Sequence, residues 1–271
     1  MPIPVNKPKN AWEGVGAGQT ATARIGVGMR IHNLMIPYSG VTLAEMTEIR
    51  VIANGQTIQR LIGADVVDKI NQFDAKNAAN GILTINFERT GLISRAGREI
   101  TAIDTSTNPK INVPITTLSL EIDIAGTATN PVLGAPNAKE LPMAKEPSEL
   151  LVFKRVFGYD PQGSGEFQIA DLPKMGAINR IIIKSSATIN NIKVDRNNYT
   201  AFDRTKAMNE LIQNDGVRVP QAGYYVIDFT EEGYGQDWLE VQGSTDFRLK
   251  LDMAGAGHLD VIVEYLDTLK G

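Results

Sequence analysis

The order of secondary-structure signals in the first half of the chain returns in the second half, and this repetition limits the available folds more than any single motif does. In the first half EIRVIANGQTI (48–58) is followed by an amphipathic segment, then by ILTINF (82–87) and LSLEIDIAG (118–126). In the second, NRIIIKSSATI (179–189) is followed by a helical stretch around Ala201 to Gln213, then by YYVIDF (224–229) and FRLKLDMAG (247–255). Thr57 and Ile58 align with Thr188 and Ile189, and residues 122–126 align with residues 251–255 at nearly the same offset. Chance alternation would explain similar strands, but not a helix at the same point of each half. Tandem duplication of one β-domain is the simplest account, and 271 residues suit two domains of ordinary size.

Within each half the local patterns are those of strands. From Arg24 the residues Ile25, Val27, Met29 and Ile31 alternate with Arg24, Gly26, Gly28, Arg30 and His32, which predicts a strand with one buried face. Asn54-Gly55 sits between two β-prone runs and predicts a hairpin, because both turn residues tolerate positive φ. Residues 63–76 carry Val66, Val67, Ile70 and Phe73 at three-to-four spacing, so a short amphipathic helix is expected there. Strands are expected again over 81–87, 99–103 and 117–124. Between Thr127 and Glu149, Pro131, Pro136, Pro142 and Pro147 oppose regular pairing and mark a boundary. Three prolines, Lys7, Lys9 and a glycine cluster before residue 20 favour an extended arm that reaches to a neighbour. The expected organisation is therefore an N-terminal extended arm over 1–20, a first domain over 21–135, a linker over 136–150 and a second domain over 151–271. The expected class is all-β: two tandem eight-stranded jelly-roll barrels, a double jelly roll, each with a short helix.

The inventory of reactive groups excludes several functions. There is no cysteine, so disulfides, thiolate metal sites and cysteine nucleophiles are absent. A net charge of −4, from 27 basic and 31 acidic residues, gives no reason to expect direct nucleic acid binding. Apolar runs such as Ile181–Ile183 are far shorter than the roughly 20 residues of a membrane-spanning helix, and the N-terminal segment does not read as a secretory signal. Gly14–Thr20 resembles a phosphate-binding loop but lacks its lysine and leads into a strand where a helix is needed. Hydrolase, zinc-protease and EF-hand spacings are absent, which argues against an enzyme. His32 and His258 are too few for a double-barrel metalloenzyme, and both read as solvated positions. Aromatic residues make up only 6%, with Trp12 in the arm and Trp238 in a loop, which argues against a sugar-binding cleft. Glu231, Glu232 and Asp237 offer oxygen ligands to calcium, although a solvated connection explains such a loop more often. Asn198-Tyr-Thr200 fits a glycosylation acceptor with no secretory context to give it meaning.

At Tyr38-Ser-Gly-Val-Thr42, Ile169-Ala-Asp-Leu-Pro173, Phe247-Arg-Leu-Lys-Leu-Asp252 and Val261-Ile-Val-Glu-Tyr265 the chain resembles the major coat proteins of corticoviruses, tailless icosahedral bacteriophages with an internal membrane. The resemblance runs in order from about residue 20 to the C-terminus, apart from 90–116 and 127–150. It implies a structural major capsid protein that forms pseudo-hexagonal trimers and tiles a virion shell, assembled in the bacterial host cytoplasm. The implied partners are two further copies, neighbouring trimers, and the penton or spike and internal membrane proteins of the virion. Calcium is implied as a possible cofactor by the resemblance alone, with no ligand that can be carried over. An alternative reading is a carbohydrate- or receptor-binding β-sandwich such as a virion spike, and a third is a hydrolase with paired carboxylates.

Overall fold

The computed structural model describes residues 3–142 and 147–270. The first half holds β1 (Val5–Pro8), β2 (Thr20–Ile25), β3 (Arg30–Ser39), β4 (Met46–Ala53) and β5 (Gln56–Ile62), followed by helix α1 (Ala64–Phe73). It continues through β6 (Ile82–Asn86), α2 (Arg95–Glu99), β7 (Ile103–Asp104), β8 (Leu118–Ile124), β9 (Val132–Leu133) and β10 (Asn137–Leu141). The second half holds β11 (Leu151–Tyr159), β12 (Gly165–Ile169), β13 (Ala177–Ser185), β14 (Ile189–Arg196) and β15 (Tyr199–Thr205), followed by α3 (Lys206–Gln213). It ends with β16 (Tyr224–Asp228), β17 (Leu239–Glu240), β18 (Phe247–Met253) and β19 (Leu259–Asp267).

Strand order in the first barrel is β1-β10-β3-β6 on one side and β2-β8-β4-β5 on the other. In the second it is β11-β19-β13-β16 and β12-β18-β14-β15. These are two eight-stranded jelly rolls with the same topology, and the equivalences run β1/β11, β2/β12, β3/β13, β4/β14, β5/β15, α1/α3, β6/β16, β8/β18 and β10/β19. Alternation sends one face of each strand inward, as in the buried Leu118, Leu120, Ile122 and Ile124 of β8 and Phe247, Leu249, Leu251 and Met253 of β18. A single apolar cluster runs through both barrels. One sheet is also shared: β11 lies beside β5 in parallel, with Lys154 opposite Gln59.

The duplication is present but sits one strand away from the alignment read in the sequence. The hairpin at 48–58 corresponds to β14-β15 and not to residues 179–189, because six residues separate β3 from β4 and only three separate β13 from β14. Period-two patterns look alike in every strand, so a shift by one strand leaves the pattern intact. The turns prove the true equivalence. Asn54 and Gly55 have φ of 49° and 76°, and Asn197 and Asn198 have φ of 48° and 63°. Asn54 Oδ1 accepts from the Thr116 N–H (2.9 Å), the Thr116 hydroxyl (3.2 Å) and the Thr117 N–H (3.2 Å). Asn197 Oδ1 accepts from the Thr245 N–H, the Thr245 hydroxyl and the Asp246 N–H, each at 3.0 Å.

Other local expectations also change. The strand expected from Arg24 to His32 breaks after Ile25, where Gly28 takes φ of 110° and Val27 is exposed. Of the strand expected over 99–103, Glu99 is the last residue of α2 and residues 100–102 form a turn; α2 starts behind its N-cap Ser94, whose hydroxyl accepts the Gly97 N–H at 3.0 Å. Only Ile103 and Asp104 pair with β3. The helical stretch expected from Ala201 starts at Lys206, behind the N-cap Thr205, and the residues before it are β15. The arm is extended but not free: β1 pairs with β10, Lys9 forms an ion pair with Glu140, and Trp12 Nε1 donates to the Gly134 carbonyl at 2.9 Å. The expected linker contains β10, whose pairing with β3 and β1 needs none of the proline nitrogens that flank it. Residues 143–146 of that linker lie outside the described residues.

Replacing Asn54 or Asn197 by Ala removes three hydrogen bonds and leaves a side chain in the left-handed region. Each substitution is expected to cost about 2 kcal/mol in denaturant unfolding of the full chain. A loss under about 0.5 kcal/mol at either turn would show that it does not hold its barrel's end closed.

Candidate functional site

The part of the molecule richest in buried charge is the junction between the barrels. Arg180 of β13 precedes Ile181–Ile183, and Glu264 of β19 sits within Val261–Leu266, so both charges are carried into the interior by apolar strands. Their strands pair directly, with Arg180 opposite Glu264. The Arg180 guanidinium donates to both Glu264 carboxylate oxygens, Nε to Oε2 at 2.8 Å and Nη2 to Oε1 at 3.1 Å. Its Nη1 reaches across to Asp74 Oδ1 at 2.7 Å, just past the end of α1 in the first barrel. Lys154 Nζ lies 3.2 Å from Glu264 Oε1, and Asn179 Nδ2 donates to Glu264 Oε2 at 3.1 Å. Arg89, from the first barrel, donates to Asn179 Oδ1 at 2.8 Å and to the Gly235 carbonyl at 2.6 Å, with its guanidinium over Trp238.

Burial alone would raise the Glu264 carboxyl, but Arg180 and Lys154 outweigh it and hold that group well below the usual carboxylate range. Burial likewise opposes the charge on Arg180, and Asp74 and Glu264 overcome it, so the pair is fully ionised at neutral pH. Burial pushes Arg89 down to about 10. Around these groups the junction closes on a cavity of only ≈ 20 Å³, room for about one water and none for a substrate. Main-chain contacts add to it: the Val219 N–H donates to the Phe73 carbonyl at 2.8 Å and the Ile93 N–H to the Gly233 carbonyl at 3.0 Å. The arrangement fixes two barrels relative to each other and has no geometry for turnover.

The residues singled out in the sequence do not meet at a metal site. Glu231 is held by Arg204, with Oε2 at 2.8 Å from Nη1, while Glu232 and Asp237 are exposed. A carboxylate already neutralised by a guanidinium is a poor calcium ligand, so the loop does not fit calcium. Asp237 instead borders an open hollow of ≈ 560 Å³ with Arg89, Tyr234 and Trp238. It is the single carboxylate there among the described residues, so this hollow lacks the pair a glycosidase needs.

His258 is exposed, as expected, and lies between Asp160 (2.7 Å) and Asp260 (3.2 Å), which raise its pKa against the weaker effect of burial. His32 differs from expectation: it is fully buried, with Nδ1 on Glu88 Oε1 at 2.5 Å. Ile31 is buried as its alternation predicts, and a bulge between Ile31 and Asn33, opposite Glu140 and Lys139, leaves His32 out of the ladder and lets its side chain be buried too. One ligand atom from each of His32, Glu88 and Glu99 lies within 4.8 Å of the others. Glu99 is bound by Arg30 (2.8 Å) and Arg95 (2.6 Å) and Glu88 faces Lys139 (3.6 Å), so nearby cations already balance both acids. Sequence reading missed Arg180, Glu264, Lys154 and Asp74. The available signal was an isolated charge inside an apolar strand, which in a folded core requires a partner.

Two eight-stranded jelly rolls in tandem, joined through a shared sheet, define the double-jelly-roll class of viral capsid proteins. Residues 6–137 match the viral coat protein P2 N-terminal domain and residues 155–269 match its C-terminal domain. The chain belongs to the viral coat protein P2 family. It is 26% identical over 266 residues to the major capsid protein P2 of Pseudoalteromonas phage PM2, covering 95% of this chain and 94% of that relative. The crystal structure of the major capsid protein P2 from bacteriophage PM2 superposes with a TM-score of 0.88 at 22% identity, over 99% of this chain and 98% of that one. The STIV major capsid protein gives 0.70 at 9% identity, over 98% and 97%. The PBCV-1 virus capsid gives 0.64 at 11% identity, over 97% and 93%. The fold expected from the sequence is therefore the fold found, and the chain is a capsid protein.

The junction makes stability depend on pH in a defined direction. Because the folded Glu264 carboxyl is held below its unfolded value, its contribution is complete above the ordinary carboxylate pKa of about 4.3 and is lost as pH falls through the lower folded value. Replacing Glu264 by Gln leaves Lys154 buried without its carboxylate and Arg180 with Asp74 alone, and is expected to cost about 3–5 kcal/mol at neutral pH. The variant should also lose stability less steeply than the native chain below about pH 4. Equal acid sensitivity in denaturant titrations of the two proteins would contradict this assignment.

Proposed function

We propose that three copies associate into a capsomer with a nearly hexagonal outline, and that such capsomers tile an icosahedral shell over an internal membrane. The observation that carries this reading is the pair of topologically identical barrels held rigidly side by side by the junction. Three such chains place six similar barrels around one axis, and hexagonal units tile a surface. In this reading the chain is a building block that catalyses nothing, assembles in the host cytoplasm, and meets penton and membrane proteins at the edges and inner face of the shell. Calcium, in this proposal, acts between chains, where carboxylates of two copies meet. Light scattering of the purified protein, with calcium and with a chelator, tests both points. A species of three times 29.5 kDa is expected in both conditions, with larger species growing when calcium is added. A monomer in both would contradict the capsomer, and a mass independent of calcium would remove the ion from the account.

A further inference from the structure

One contact between barrels is completed inside the chain, and its duplicate is left open at both ends. In the junction, β11 lies along β5 with Lys154 opposite Gln59, and Arg155 donates to the Thr57 (2.8 Å) and Ile58 (3.1 Å) carbonyls. Beside it Ile70 of α1 lines one small cavity together with Ile182 and Tyr224 of the second barrel. The contact is head to tail: the β11 side of one barrel meets the β5 side of the other. The first barrel therefore keeps a free β1, its counterpart of β11, and the second keeps a free β15 and α3, its counterparts of β5 and α1.

Ladder register makes the correspondence specific. Val5 pairs with Glu140 as Phe153 pairs with Tyr265, and Glu140 pairs with Ile31 as Tyr265 pairs with Ile178. Val5, Asn6 and Lys7 thus stand where Phe153, Lys154 and Arg155 stand in the second barrel. The matched hairpins place Thr200, Ala201 and Phe202 where Thr57, Ile58 and Gln59 stand. Exposure follows the same division. Phe153 is 4% exposed and Val5 50%, Val66 is 1% and Met208 51%, and Ile70 is 5% and Ile212 38%. Ile82, which matches Tyr224, is 51% exposed. Apolar positions that are buried or half-buried beside the junction on one barrel are bare on its duplicate.

We propose that a second copy of the chain covers them, the β1 edge of one copy lying along β15 of the next, with Ile82 against Met208 and Ile212 of α3. The proposal rests on the capsomer reading and adds to it which edges make the contact. One step beyond the Asn6–Phe202 position, Lys7 of one copy falls opposite Asp203 of the next, and both are exposed. The junction has two arginines, Arg155 and Arg60, at that point, so the charges favour the contact between chains. Each copy has one β1 edge and one β15 edge, so a contact that closes satisfies both, and one that does not close gives a filament.

The absence of cysteine allows a direct test in the full chain. Neighbouring strands lie about 4.8 Å apart, within reach of a disulfide. Lys7→Cys with Asp203→Cys, both at exposed positions, should give under oxidation a band of three linked chains on a non-reducing gel, and neither single substitution should. Scattering on the same sample separates the two ideas: a trimer without the linked band overturns this edge assignment alone, and a monomer overturns the capsomer as well. Met208→Asp, on the exposed face of α3, should shift the concentration of half-dissociation at least tenfold upward with unchanged thermal melting of the dissociated chain. An unchanged dissociation concentration would overturn the role of α3.

Discussion

The ion pair between Arg180 and Glu264, with Asp74 and Lys154 around it, is the constraint on which the rest of the structure depends. A buried charge pair of this kind gives little net stability compared with apolar residues of the same size, but removing one member is costly. Its value here is positional. Arg180 bonds within its own barrel to Glu264 and across to Asp74 of the other, so the two barrels have one relative orientation in which every charge is paired. A capsid subunit needs that definition more than it needs extra stability, because an error of angle between barrels would be repeated at every position of a shell.

Much of the fold was legible because β-structure writes its pattern directly into the chain. The Asn54-Gly55 turn, the amphipathic spacing of α1 and the alternation in β8 and β18 each follow from a local rule, and the structure contains all of them. Errors arose where the local rule was ambiguous. A strand shifted by one element keeps its alternation, so the halves were aligned out of step, and the second hairpin hid in Asn197-Asn198, which lacks the usual glycine. A bulge at His32 breaks the alternation of β3, and that residue went from an expected wet face to a buried one.

The candidate site was less legible than the fold, and for a physical reason. Glu231, Glu232 and Asp237 stand out because they are close in sequence, yet the structure spends Glu231 on Arg204 and leaves the other two in solvent. The residues that define the junction come from distant points of the chain, and only the topology of two jelly rolls brings Asp74, Lys154, Arg180 and Glu264 together. A single charge inside an apolar strand signals that a partner exists, but not which one.

The duplication then explains how a rigid pair of barrels becomes a larger object. A head-to-tail contact made once within the chain leaves a matching pair of surfaces, and the exposed side chains of β1, β6 and α3 are the counterparts of side chains that are buried or half-buried beside the junction. Electron cryo-microscopy of the purified protein, viewed down the symmetry axis of the particles, tests this account most directly. Closed rings of six barrel densities are expected, in which the spacing within a chain and between chains is nearly the same. Isolated pairs of barrels, or open chains of them, would contradict it.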